Sequence, residues 1–155
     1  MSPIAHALAL LVFIQQAPAE DWTPSAEQAA VYQALSVRDA PDCAAVEALA
    51  TDPLDALRTV VEHAAMPPWA PMRAAHCMLT RHPDQARDDL LSWVGQAKTR
   101  GLGLLVLSEL DTLAEPLALE IAGAALAGPL ADDARPRLAD SAVPSVKALA
   151  TGGGD

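Results

Sequence analysis

CAAVEALATDP (Cys43 to Pro53) returns as RAAHCMLTRHP (Arg73 to Pro83) about 30 residues later. Ala44, Ala45, Leu49 and Pro53 recur as Ala74, Ala75, Leu79 and Pro83. VEALAT (Val46 to Thr51) comes back as VKALAT (Val146 to Thr151), with Glu47 replaced by Lys147. A period in this range is that of stacked helical units, because each unit leaves an apolar face that only a neighbour can cover.

Composition agrees with that reading. The 155 residues make one domain by length, with 52% hydrophobic but only 3% aromatic side chains. A core must then be built from Ala, Leu and Val, the first two being strong helix formers whose small or flexible side chains let helix axes approach closely. Tyr32 and Phe13 are single representatives of their types, and strand-favouring residues are sparse. The predicted fold class is all-α.

Helix punctuation recurs at short intervals. Ser25 and Gln28 have capping-box spacing after Thr23-Pro24, which predicts a first helix reaching toward Val37. Pro41-Asp42 opens a second over Cys43 to Ala50, and Asp52-Pro53 a third over Leu54 to Ala65. Met66-Pro67-Pro68-Trp69 interrupts the chain before a fourth, Ala70 to Thr80. His82-Pro83-Asp84 opens a fifth, for which Gly101 is the expected C-terminal cap. Leu102 to Leu113 and Ala114 to Gly128 are apolar nearly all round, hence the expected centre of the array. A last pair, broken at Pro136 and Pro144, precedes a glycine tail over 151–155 that should fray. About eight helices joined by short loops predict antiparallel neighbours.

Helix hairpins of this length resemble HEAT repeats. The residues carrying the resemblance are Ala44-Ala45-x3-Leu49-x3-Pro53 and Arg73-Ala74-Ala75-x3-Leu79-x3-Pro83, with Arg73-Ala74-Ala75 similar to the Arg-x-Ala segment of a HEAT second helix. The likeness spans Pro41 to Leu126. It implies a short α-solenoid over residues 20–150 that binds or scaffolds proteins, with no catalytic residues and no cofactor. A compact, irregular helical bundle is the rival architecture.

Met1 to Ala19 reads as a secretory signal peptide. The apolar run Ile4 to Ile14 is too short to span a membrane and ends in Ala17-Pro18-Ala19, a small-x-small cleavage pattern, although no basic residue precedes it. The expected location is periplasmic or secreted, with no stable membrane insertion after processing. A net charge of −10 with scattered arginines disfavours nucleic acid as a partner.

In an oxidising compartment the two cysteines, Cys43 and Cys77, are expected to pair, since offset positions on adjacent stacked helices reach disulfide distance; two separately buried thiols are the alternative. His63, His76 and His82 suggest a second function class, a metal-dependent or other enzyme, though no His-x3-His or Cys-x2-Cys pair supports it. No Gly-x-Ser-x-Gly setting surrounds any serine. The most suggestive surface element is Met66 to Arg73, where rigid prolines present Trp69 beside Met66 and Arg73. These three form a candidate partner-binding set on a monomer, with Trp69 as anchor; Trp69 and Met66 plugging a gap between repeats is the plainer alternative.

Overall fold

The computed structural model of the chain describes residues Trp22 to Gly152, so the expected signal segment Met1 to Ala19 lies outside the described residues. Nine α-helices occur among the described residues: α1 (Ala26–Ser36), α2 (Cys43–Glu47), α3 (Pro53–His63), α4 (Trp69–Arg81), α5 (Arg87–Gly95), α6 (Arg100–Ser108), α7 (Glu115–Ala127), α8 (Ala131–Ala139) and α9 (Pro144–Ala150). Two single 3-10 turns, Ala97–Thr99 and Leu110–Thr112, flank α6, and the described residues contain no strand. The chain is all-α.

Several starts follow directly from capping chemistry. The Ser25 hydroxyl accepts the Gln28 N–H at 3.2 Å while the Gln28 side chain accepts the Ser25 N–H at 3.0 Å, completing the box. Asp52 accepts the Asp55 N–H at 3.1 Å, with Pro53 at the first helical position. Other expectations need correction. α2 stops at Glu47 rather than Ala50, and α5 begins at Arg87, after a turn over residues 83–86. Gly101 caps nothing. α5 has already ended at Gly95, where the Thr99 hydroxyl donates to Trp93 O at 3.0 Å, and Gly101 falls inside α6. Pro136 does not break α8, which carries it internally and keeps Ala134 and Leu138 buried on either side. At the C-terminal end Gly152 adopts φ 64°, the left-handed conformation that glycine tolerates, and donates to Leu149 O.

Packing runs between near neighbours in sequence. α3 packs on α4, α5 on α6, α7 on α8 and α8 on α9. A second set of packings skips one helix: α1 with α3, α5 with α7, α7 with α9, α4 with α6, and α6 with α8. α7 thus touches α5, α8 and α9, as its nearly uniform apolar surface anticipates. Ten of the thirty buried apolar residues are alanines, which is what lets so many short helices approach closely. Trp93 is the one aromatic among them.

Gly103 marks the tightest approach. A Cβ there would lie 2.4 Å from the Leu130 side chain and 2.7 Å from the backbone oxygen of Trp93, whereas Gly101 faces open space. Gly103→Ala is therefore expected to destabilise by about 1–3 kcal/mol, while Gly101→Ala stabilises by about 0.5–1 kcal/mol through helix propensity. Urea unfolding of both variants checks the contrast, and shifts of equal sign would show that the α5–α6 contact is misplaced.

The polar contacts between helices share one register. Gln28 reaches Thr59 across 31 residues, Arg58 pairs with Asp89 across 31, Arg87 with Glu120 across 33 and Arg100 with Asp133 across 33. Glu47 pairs with Arg81 across 34, and Asp111 and Glu115 accept from Ser141 and Ser145 across 30. Glu27, which accepts from Thr51 across 24, and Arg73, which donates to carbonyls across 35 to 38, lie outside this range. A near-constant offset arises when one structural unit is laid beside the next.

That offset is not the alignment by which the sequence repeats. Leu79, Ala74 and Ala75 are buried in α4, but their counterparts Leu49, Ala44 and Ala45 are exposed on the short α2 and the turn after it. α2 instead meets α4 four residues out of that alignment, with Cys43 beside Cys77. The more distant recurrence does match in three dimensions: Val46 and Val146 are both buried, and Leu49 and Leu149 are both exposed.

Candidate functional site

The last carbonyls of a helix have no partner within it. At the end of α1 they are met by side chains from the start of α4. The Trp69 indole donates to Ser36 O at 3.3 Å, and the Arg73 guanidinium donates to Leu35 O at 3.0 Å, Arg38 O at 2.9 Å and Val37 O. The Tyr32 hydroxyl donates to Met66 O, ahead of a cis Met66–Pro67 peptide. Arg73 also lies 5.9 Å from the Trp69 ring centroid. The three residues expected to face a partner are thus held together against one helix end, and the polar groups of Trp69 and Arg73 are occupied there.

Their apolar surface is left open. Met66 is 68% exposed, Trp69 43% and the adjoining Val37 52%. Trp22 extends this edge, packing edge-on to Tyr32 at 5.4 Å and stacking on His63 at 5.9 Å. Such a surface can take up apolar side chains, with aromatic rings as fixed contacts.

Cys43 and Cys77 are brought together as a disulfide, with Cα atoms 5.4 Å apart and a sequence separation of 34. Cys43 opens α2 and Cys77 lies in mid-α4, 2% exposed. A cavity of about 350 Å3 adjoins the bond, bounded by Ala40 to Cys43 on one side and Arg73, His76, Cys77 and Arg81 on the other.

The three histidines have separate surroundings. His63 stacks on Trp22, His76 lies 3.7 Å from Glu109, and His82 contacts Glu47 at 2.8 Å. Among the described residues no group of three His, Cys, Asp or Glu could hold a metal ion.

No family model, curated protein or solved structure matches the chain. The residues themselves therefore carry the functional reading. No described helix is long and apolar enough to cross a membrane.

Two carboxylates far apart in the chain clamp turns, and sequence spacing offered no sign of either. Glu27 accepts the backbone N–H of Thr51 at 2.9 Å and its hydroxyl at 2.8 Å. Asp111 accepts the Ala142 N–H at 2.8 Å and the Ser141 hydroxyl. These bonds, the backbone one foremost in each case, hold both acids below their ordinary values of 4.5 and 3.8. A depressed folded-state value means that the contribution to stability is complete above the ordinary value and is lost as pH falls below it toward the folded-state value. Thermal melts are expected to decline as pH drops through this range, and Asp111→Asn should flatten part of the decline. An unchanged acid profile in the variant would remove Asp111 as a contributor.

Proposed function

We propose that the chain is an exported, non-catalytic interaction or scaffold module, built as a short α-solenoid of HEAT type and monomeric. The uniform offset of the inter-helix contacts supports the solenoid, since a stack presents each unit to the next in one register. The disulfide supports an oxidising compartment, where such bonds persist.

The observation that carries the binding role is the open apolar edge formed by Val37, Met66 and Trp69, steadied by Arg73 on the end of α1. Rigidly held aromatic and thioether groups contribute most at the centres of protein interfaces, because little side-chain freedom remains to be lost on binding. The partner is a protein presenting apolar side chains to this edge.

Met66→Glu is the informative variant, since the Met66 side chain is solvent-facing and the fold does not need it. Affinity capture from the exported fraction of the native host should retain a partner with the wild-type chain and lose it with Met66→Glu. Equal capture by both would place binding elsewhere or nowhere. Intact mass of the native protein tests the compartment: removal of residues 1–19 and loss of two hydrogens are expected, and an unprocessed, fully reduced chain would contradict export.

A further inference from the structure

Residues 36 to 47 cross one face of α4 as a strap. Four α4 side chains, each one turn after the last, hold successive points along it. Trp69 takes Ser36 O, Arg73 takes the carbonyls of Leu35, Val37 and Arg38, Cys77 takes Cys43, and Arg81 takes the Glu47 carboxylate at 3.1 Å. Between Val37 and Glu47 only Val46 is buried, so core packing holds this segment at one point and those contacts hold the rest. The disulfide is the single covalent one. It is also the contact set beside a solvent-open cavity, roomy enough at about 350 Å3 for a peptide-borne thiol to enter.

The surroundings of the two sulfurs differ. Cys43 is half-buried on the strap, while Cys77 belongs to the helix and lies between Arg73 and Arg81, one turn before it and one turn after. Among the described residues Arg73 meets only neutral carbonyls and an aromatic ring, so its charge is not offset, whereas that of Arg81 is met by the Glu47 carboxylate. Cationic neighbours stabilise a departing thiolate and speed its release in thiol–disulfide exchange.

We propose that Cys43–Cys77 is a reducible latch, a site for thiol–disulfide exchange with a dithiol reductant that enters the cavity and attacks Cys43. The attacking thiolate bonds to the Cys43 sulfur, the Cys43–Cys77 bond breaks, and its electron pair leaves with Cys77, which then takes up a proton. The second thiol of the reductant attacks its own sulfur in the mixed disulfide. It releases Cys43, which is protonated in turn, and the reductant departs as an internal disulfide. Two electrons and two protons pass to the chain, the strap is freed, and the α4 face beneath it is uncovered.

The test uses the oxidised, folded full-length chain in native buffer. With dithiothreitol, thiols should appear at a rate proportional to reductant and indifferent to sub-denaturing urea. With excess glutathione followed by alkylation, the trapped adduct should sit on Cys43 and the alkyl group on Cys77. In the reduced chain, amide exchange over residues 36–52 should rise at least tenfold while α5 to α9 keep their protection. Arg73→Gln should slow reduction several-fold even though it removes strap contacts; a merely structural role for Arg73 would speed it. Reduction that saturates with reductant and accelerates in urea, an adduct on Cys77, or exchange that rises evenly along the chain would each overturn the proposal.

Discussion

Leu79→Ala is expected to lower the unfolding free energy by about 2–5 kcal/mol, the range for a leucine removed from a closed core. Leu79 is 1% exposed in α4, the helix that packs against α1, α3 and α6 at once. Its neighbours along that helix, Ala74, Ala75 and Met78, are buried as well, so little slack is available to close the resulting cavity. Leu49→Ala is the internal control. It occupies the aligned position of the sequence repeat but is 42% exposed, so its cost should stay within about 0.5 kcal/mol. Chemical denaturation of both variants reads the difference. Similar losses would mean that the two copies share one structural role after all.

Removing the disulfide, by Cys43→Ser with Cys77→Ser or by reduction, is expected to cost about 3–4 kcal/mol. The bond closes a loop of 34 residues, and constraining the unfolded chain over that length accounts for the figure. The loss should appear as a lower melting temperature with most helix content retained, because the core from α5 to α9 does not include the bond. An unaltered melt, with free thiols detected before any reductant is added, would show that the pair is not bridged.

The parts of the fold that were legible in the sequence are those written in short-range chemistry. Ser25 with Gln28, and Asp52 with Pro53, announce helix starts because cap and first turn lie within four residues. The apolar run Leu102 to Leu113 reads as central, and Val106, Leu107, Leu110 and Leu113 within it are buried. The cysteine pair was legible from an even count and from placement on neighbouring helices.

What failed depended on long-range geometry. Leu49 and Leu79 occupy identical places in the repeat, yet α2 has five residues and α4 thirteen, too unequal for shared letters to mean shared burial. Pro136 looked like a break because proline costs a helix one hydrogen bond; packing of Ala134 and Leu138 outweighs that loss.

The candidate site was legible as a segment and not as a role. Met66, Trp69 and Arg73 stand out because prolines and a tryptophan are close in sequence. That Trp69 and Arg73 close the end of α1 could not be read, since their partners are backbone carbonyls 33 to 38 residues away and any residue supplies a carbonyl. The carboxylate clamps at Glu27 and Asp111 were hidden for the same reason.

Side-chain nuclear Overhauser contacts on a methyl-labelled chain test the central claim most directly, which is that neighbouring units lie beside one another at a near-constant offset. Long-range contacts are expected to concentrate between residues about 30–35 apart, linking α1 to α3 and α4, α4 to α6, α5 to α7, and α7 to α9, as helix rows laid side by side require. Strong contacts tying α1 and α3 directly to α8 and α9 would instead describe a closed bundle and contradict the account.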